Sequence, residues 1–142
     1  MRMIGGMSPS ERQQQLVQTL LQFEDAQERL SFVQDRVRSR PGLGPEQRTD
    51  SFRVQGCATK VWLVSTLRNG RCWFEVDSES QMVRGLAALL VDCYTGSTSE
   101  EIAVFGCSVV ADAGLERRIT PSRLHGLAQV EGAIKAFAQL HR

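Results

Sequence analysis

The sequence lacks the features that mark several large classes of protein. Its longest apolar run, residues 86–91, is far shorter than the roughly 20 residues that a membrane-spanning helix requires. The amino end has no apolar segment of the kind found in secretory signals, which favours the cytoplasm as the compartment. Seventeen Lys and Arg residues against sixteen Asp and Glu give a formal charge of +1. Because a basic excess is missing, we expect neither nucleic acid nor a membrane among the partners.

Nucleotide and metal motifs are also missing. The chain has no G-x-x-x-x-G-K-[ST] loop and no G-x-G-x-x-G between a strand and a helix, so nucleotide binding is not predicted. No cysteines stand at C-x-x-C spacing, and His125 and His141 do not complete a zinc pattern, so no metal site is predicted. In a reducing compartment we expect four free thiols, which are Cys57, Cys72, Cys93 and Cys107.

What is present fits one domain. The 142 residues, 42% of them apolar, can bury one core and are too few for two ordinary domains. We predict a single domain over 1–142, with residues 1–8 flexible. Capping residues and the helical spacing of apolar residues predict helices over about 9–23, 26–38 and 79–95. They also predict a short helix that is capped by Thr98 and runs through Phe105, and a last helix that starts at Thr120-Pro121 and runs to the carboxyl end. The segment 106–119 has no clean period and is predicted to be a loop that could include a helical turn.

A β-hairpin is the clearest local signal. Asn69-Gly70 lies between two β-rich runs and favours a two-residue type I′ turn. With that turn, Leu67 faces Cys72, and side-chain alternation defines one core face. This face is Val61, Leu63, Ser65, Leu67, Cys72, Phe74 and Val76. The short β-leaning segment 52–55 is a candidate third strand, so we predict an α+β domain with an antiparallel sheet.

Among the four thiols, Cys57 is the best placed to react. Gly56 permits a turn that other residues resist, which would place Cys57 on a connection between two β segments. Arg53 and Lys60 are near in sequence and could supply the positive potential that favours a thiolate. From the residues alone, an unreactive loop cysteine stays open as the alternative.

The other candidates for thiol chemistry have plainer interpretations. Cys72 falls on the predicted core face and Cys93 lies near the end of an apolar helix, so both are expected to pack. Cys107 follows Gly106 and is the second candidate for an exposed thiol. His125 could form a Cys–His dyad with Cys57, or be an exposed residue in the first turn of the last helix.

Three segments carry a family resemblance. Residues 53–63, RVQGCATKVWL, resemble the active-site segment of the SufE family, the sulfur acceptors of cysteine desulfurases. Residues 83–90, VRGLAALL, resemble the central helix of that family. Residues 115–127, with the string TPSR and Gly126-Leu127, resemble its carboxyl-terminal motif. The resemblance extends over about residues 10–140.

The resemblance implies a fold, a site and partners. The fold is a three-stranded antiparallel sheet flanked by helices, shared with iron–sulfur scaffolds of the IscU type. Cys57 would carry a persulfide beside Gly56, and Arg123 matches the family's arginine, with an anion-holding role or a surface arginine as the two interpretations. The donor would be a cysteine desulfurase of the SufS or CsdA type, and an iron–sulfur scaffold would be the downstream acceptor. This chain would need no cofactor of its own, because the pyridoxal phosphate (PLP) belongs to the partner.

The expected function is therefore a sulfur-transfer accessory protein that also activates its desulfurase by removing the product. Two alternatives are a cluster scaffold of related fold, which needs several converging ligands, and an independent thiol enzyme that uses Cys57. We expect Cys57 to be partly shielded in the isolated protein and to move on binding. The additional cysteines leave open whether a second thiol receives or resolves the persulfide.

Overall fold

The structure, a computed structural model, describes residues 7–142. Within these residues, six helices and two strands follow one another as α1 (Pro9–Leu21), α2 (Ala26–Arg38), β1 (Val61–Arg68), β2 (Arg71–Ser78), α3 (Gln81–Tyr94), α4 (Ser99–Val104), α5 (Val109–Asp112) and α6 (Pro121–Leu140). Short 3-10 turns form at Asp50–Phe52 and Glu116–Arg118. No helix in this part of the chain combines the length and apolar character needed to cross a bilayer.

The amino end of α1 is fixed by a reciprocal cap. The Ser8 hydroxyl accepts a hydrogen bond from the Glu11 N–H, and the Glu11 carboxylate accepts one from the Ser8 N–H. These bonds satisfy two amide donors that the start of a helix leaves unpaired. Residues 1–6 of the segment expected to be flexible lie outside the described residues, whereas Ser8 is held by its cap.

The helix predicted over 79–95 begins two residues later than expected. Ser78 belongs to β2, where its hydroxyl donates to the Lys60 carbonyl. Ser80 is the capping residue instead, and its hydroxyl accepts a hydrogen bond from the Val83 N–H. The other predicted helices are present, and α5 supplies the helical turn within 106–119.

The hairpin forms with the predicted register. Leu67 pairs with Cys72, and Arg68 pairs with Arg71 across the turn. Asn69 and Gly70 both have positive φ, at 52° and 76°, as a type I′ turn requires. The sequence prediction of the hairpin is therefore confirmed.

The predicted third strand is wrong, because the sheet of the described residues has two strands. Arg53 makes one isolated bridge to Trp62, and the Val54 N–H donates to the Val61 carbonyl. The 3-10 turn ends just before this piece, and Gly56 turns the chain away with a φ of +84°. Too few extended residues remain beside β1 for a ladder to propagate.

The core lies between the hairpin and α3, which is buried over most of its length. Gly85 lets α2 approach closely, since a Cβ there would lie 2.8 Å from the Val33 carbonyl oxygen. The predicted core face holds with one exception, since Leu67 is 43% exposed at the tip of the hairpin. On the opposite face, Trp62 is only 6% exposed. Arg48 lies over the Trp62 ring at 4.7 Å, which helps to cover it.

The connection between α2 and β1 is anchored by a buried carboxylate. Asp77 accepts hydrogen bonds from the Leu43 and Ser78 N–H groups. Its other neighbours are cationic, with Arg84 at 3.5 Å and Arg48 at 3.8 Å. These contacts secure the connection that leads to the Cys57 loop.

Candidate active site around Cys57

The Cys57 loop is shaped by a left-handed glycine. Gly56 has a φ of +84°, a conformation that costs other residues about 1–2 kcal/mol. A Cβ at Gly56 would lie 3.2 Å from the Gln129 side chain of α6. The turn therefore brings the loop against the amino-terminal half of α6, so that Cys57 faces that helix.

The Cys57 thiol lies against the backbone of α6. Its sulfur is 3.5 Å from the Gly126 carbonyl oxygen and donates a hydrogen bond to it. Gly126 has no side chain to keep the loop away, and a Cβ built there would lie 3.6 Å from the sulfur. The thiol is half-buried as a result, so the expected partial shielding is present.

A small cavity of about 20 Å³ adjoins the sulfur. Space of this size accommodates roughly one water-sized group. Residues from the loop, β1, α3 and α6 line it, namely Cys57, Ala58, Thr59, Val61, Val83, Ser122, Arg123 and Gly126. The site thus has room beside the thiol for about one additional large atom.

Burial dominates the electrostatics of this thiol. Burial raises the pKa of Cys57, and the positive charge of Arg53 lowers it by less, so the net direction is upward from the ordinary value of 9.0. Arg53 therefore has the effect expected from the sequence. Lys60 is exposed and is not among the causes of the shift. The protonated thiol is the resting form at neutral pH.

Arg123 and His125 have different relations to the thiol. Arg123 lines the Cys57 cavity from the first turn of α6, and its side chain reaches solvent. The exposed His125 ring lies 3.4 Å from the Gln129 amide nitrogen. The structure therefore pairs His125 with Gln129 and brings Arg123 to the site.

The sequence analysis did not assign two residues to the site, although Gly126 stands in the carboxyl-terminal motif of the resemblance. Gly126 and Gln129 contact the Cys57 loop, at Cys57 and Gly56 respectively. One available signal was the glycine itself, because glycine inside a helix is costly and often marks a close approach. Gln129 carried no signal, since its role depends only on where α6 packs.

The other thiols occupy different surroundings. Cys72 is buried, 3.7 Å from the Ser99 hydroxyl, as its place on the core face predicted. Cys93 is buried in the core, also as predicted, whereas Cys107 is half-buried. In residues 7–142, no group of three His, Cys, Asp or Glu side chains is arranged to hold a metal ion.

Comparison with known proteins decides the family. The family model named SufE, described as an Fe–S metabolism associated domain, matches residues 14–138. The chain belongs to the SufE family. The resemblance seen in the sequence is thereby confirmed, while the role of Cys57 stays a prediction.

Individual relatives agree with this assignment. An uncharacterized SufE-like protein of Rhizobium etli is 30% identical over 131 residues, which cover 89% of this SufE-family chain and 88% of the relative. The sulfur acceptor protein CsdE of Escherichia coli is 33% identical over 119 residues, 82% of this chain and 79% of CsdE.

A solved structure supports the fold. The solution structure of a hypothetical protein from Thermus thermophilus matches with a TM-score of 0.75 at 19% identity. The match covers 95% of this chain and 97% of that one. The α+β class predicted from the sequence is confirmed, with two strands in place of three.

Proposed function

We propose that this SufE-family protein is a sulfur acceptor. It takes sulfane sulfur from the persulfide of a PLP-dependent cysteine desulfurase onto Cys57 and carries it toward iron–sulfur cluster assembly. The observation that carries the proposal is the half-buried Cys57 thiol beside a cavity of about 20 Å³. The kinship with the sulfur acceptor CsdE supports the same conclusion.

The transfer is an exchange between two cysteine sulfurs. The Cys57 thiolate attacks the outer sulfur of the donor persulfide, so a new S–S bond forms at Cys57 and the donor S–S bond breaks. The donor cysteine leaves as a thiolate, and Cys57 now holds the persulfide. No net oxidation occurs and no cofactor on this chain takes part, since PLP acts in the desulfurase.

The cavity gives the acquired sulfur a place between encounters. A persulfide is longer than a thiol by one sulfur atom, which is about what the space beside Cys57 accommodates. Arg123 lines this space, so its guanidinium can pair with the persulfide anion. Shielding on one side and a cation on the other would slow the loss of sulfur to solvent reductants.

Uptake requires the loop to move. A thiol that donates to the Gly126 carbonyl cannot at the same time reach a cysteine inside another protein. Gly56 is free of the usual left-handed strain and can serve as the hinge. Leaving the recess also removes the burial that raises the pKa of Cys57, so displacement and activation coincide.

This scheme gives each partner protein a defined step. A desulfurase of the SufS or CsdA type would present its persulfide at an accessible site and be released from its product by the transfer. That release is the physical basis for activation of the desulfurase. An iron–sulfur scaffold would take the sulfur from Cys57 by a second exchange of the same kind.

Intact-mass spectrometry tests the proposal. The protein is incubated with a cysteine desulfurase and cysteine, and we expect a mass increase of one sulfur atom. Cys57→Ser should show no increase, whereas the matched variant Cys72→Ser, at a buried thiol away from the cavity, should still take up sulfur. Sulfur uptake by Cys57→Ser equal to that of the unaltered protein would overturn the proposal.

A further inference from the structure

The outer edge of β2 is covered by the chain itself. The Cys72 N–H donates to the Ser97 carbonyl, and the Cys72 carbonyl accepts from the Gly96 N–H. Two residues along the strand, the Phe74 N–H donates to the Thr95 hydroxyl. The segment that follows α3 therefore satisfies the backbone groups on this side of the hairpin.

The outer edge of β1 is open over its second half. Successive residues of an antiparallel strand direct their backbone groups alternately toward and away from the partner strand. The Val61 carbonyl accepts from the Val54 N–H, which lies outside the hairpin. By this alternation, the N–H and C=O groups of Ser65 and Leu67 also point away from β2. These groups have no backbone hydrogen-bond partner within residues 7–142, so the edge can pair with another extended segment.

A groove lies along this open edge, between β1, the segment 51–55 and the carboxyl-terminal half of α6. Its volume is about 490 Å³. Leu63 and Ser65 line it from β1, and Ala136 and Phe137 line it from α6. Because side chains alternate along a strand, every second side chain of a segment added at the edge would enter this β1 groove.

The place of a third strand beside β1 is left vacant. Arg53 forms its one bridge to Trp62 and stands in line with such a strand. The 3-10 turn at Asp50–Phe52 then takes the chain out of that line, so no residue of it runs beside Ser65 and Leu67. A segment from another molecule would continue the ladder where this chain leaves it.

Charge indicates what kind of segment fits. Arg53 is the charged residue among the described residues that line the β1 groove, and the exposed Arg68 stands at the far end of the edge. Neither has an ion-pair partner within residues 7–142. Cations at both ends favour an occupant that carries carboxylates.

A second copy of this chain suits the edge poorly. An antiparallel pairing of two β1 strands centred on Ser65 would bring Arg68 of one copy beside Trp62 of the other. Arg53 already occupies that position. Two like charges would then meet at each end of the pairing, which is destabilising.

The β1 groove adjoins the Cys57 loop. Gln55 lines the groove and stands two residues before Cys57. Gln129 also lines it, and its side chain is 3.2 Å from the position of a Cβ on Gly56. A protein that binds in the groove is thus beside Cys57, and in the proposed function the protein that comes to Cys57 is the desulfurase.

We propose that the β1 groove binds an extended acidic segment of the cysteine desulfurase, which adds to the open edge of β1 as a third strand. This inference rests on the proposed function and names the place where the sulfur donor docks. Backbone hydrogen bonds to Ser65 and Leu67 hold the segment, an apolar side chain enters the groove, and a carboxylate pairs with Arg53.

Binding of the desulfurase to Ala136→Glu tests the groove. Ala136 is exposed, so the fold can accept the longer side chain, which obstructs the groove and repels an acidic occupant. By isothermal titration calorimetry, the dissociation constant should rise at least about tenfold. Ala103→Glu is the matched control, because it makes the same change at an exposed position of α4 outside the groove, and it should leave the constant unchanged.

Sulfur uptake from glutathione persulfide separates docking from chemistry. This small donor needs no docking surface, so both variants should load Cys57 as fast as the unaltered protein does. Equal affinity of Ala136→Glu and Ala103→Glu for the desulfurase would overturn the groove proposal alone. Absence of sulfur uptake by the unaltered protein from the desulfurase would overturn the proposed function and this inference with it.

Hydrogen exchange tests the added strand. In the complex, the amide protons of Ser65 and Leu67 should exchange at least about tenfold more slowly than in the free protein, whereas that of Cys72, already bonded to Ser97, should not change. Ser65→Pro removes an N–H that points away from β2, so it spares the hairpin and should weaken binding about tenfold. Unchanged exchange at Ser65 and Leu67 would overturn strand addition, even where Ser65→Pro fails to fold.

Light scattering of the free protein tests the competing occupant. We expect a monomer, because Arg53 and Arg68 oppose the pairing of two copies. A dimer that Ala136→Glu dissociates would show that a second copy occupies the β1 groove and would overturn the proposal.

Discussion

Gly126→Ala separates the stability of α6 from the proposed storage of sulfur beside Cys57. The substitution adds one methyl group, whose carbon would lie 3.6 Å from the Cys57 sulfur and 3.9 Å from its Cβ. These are ordinary contact distances, so the thiol form of the protein can accept the methyl. A persulfide cannot do so equally well, because the methyl occupies space in a cavity of about 20 Å³.

The substitution should stabilise the fold and destabilise the persulfide in its recess. Replacing glycine by alanine inside a helix stabilises the fold by about 1 kcal/mol, which for a domain of this size raises the melting temperature by roughly 3 °C. Forcing an additional group into a filled site costs about 1–3 kcal/mol. At roughly 1.4 kcal/mol for each factor of ten, the persulfide should leave its recess at least about fivefold more often.

The assay measures both quantities on the same protein. Thermal unfolding followed by circular dichroism gives the melting temperature, and the lifetime of the Cys57 persulfide in dithiothreitol gives the shielding. Gly132→Ala is the matched control, since it lies in α6 and a Cβ there meets no atom within 4 Å. We expect Gly132→Ala to gain stability and to keep the persulfide lifetime unchanged.

One result would refute the reasoning. If Gly126→Ala melts higher and holds its persulfide as long as Gly132→Ala does, the cavity beside Cys57 does not store the sulfur. The proposal that Cys57 accepts sulfur would survive that result, because the uptake experiment tests it separately.

Three other substitutions test the site and its support. Arg53→Gln should shift the pH profile of Cys57 alkylation by iodoacetamide to higher pH, because the Arg53 charge lowers a pKa that burial raises above 9.0. An unshifted profile, or an equal shift in Lys60→Gln, would contradict this. Gly56→Ala should lower the free energy of unfolding by about 1–2 kcal/mol, the cost of a left-handed alanine, measured by urea unfolding; an unchanged midpoint would argue against strain at this φ of +84°. Asp77→Ala should lower the free energy of unfolding by about 3 kcal/mol in the same assay, because it leaves the shielded Arg84 of α3 without its carboxylate. A loss below about 1 kcal/mol, which is typical of an exposed ion pair, would show that the contact stabilises the connection only weakly.

Local signals predicted the parts of the fold that depend on local geometry. The Asn69-Gly70 turn fixes the register of the hairpin, because both residues adopt positive φ and side chains alternate along each strand. Thr120 caps α6 as its position before Pro121 indicated. These features need no knowledge of the rest of the chain.

Features that depend on distant residues were not predictable in the same way. The segment near Arg53 fails to become a strand because the chain coils just before it and turns away just after it. Trp62 is covered by Arg48, which comes from a connector without periodic structure. The contact between Cys57 and Gly126 joins residues far apart in sequence, so it follows from the packing of α6. The glycine marks a close approach but does not say which residue approaches.

The protonation state of Cys57 favours a carrier over a stand-alone thiol enzyme. An independent nucleophile needs a base or a strong positive potential to keep its thiolate ready, whereas here His125 pairs with Gln129 and burial outweighs the charge of Arg53. A carrier benefits from the opposite arrangement, because a resting thiol that reacts slowly is protected from wrong partners. In the proposed function, the same recess that suppresses attack by the thiol then shields the persulfide after transfer. In the proposed function, reactivity is conferred by displacement of the loop, so that a docked partner controls when Cys57 reacts.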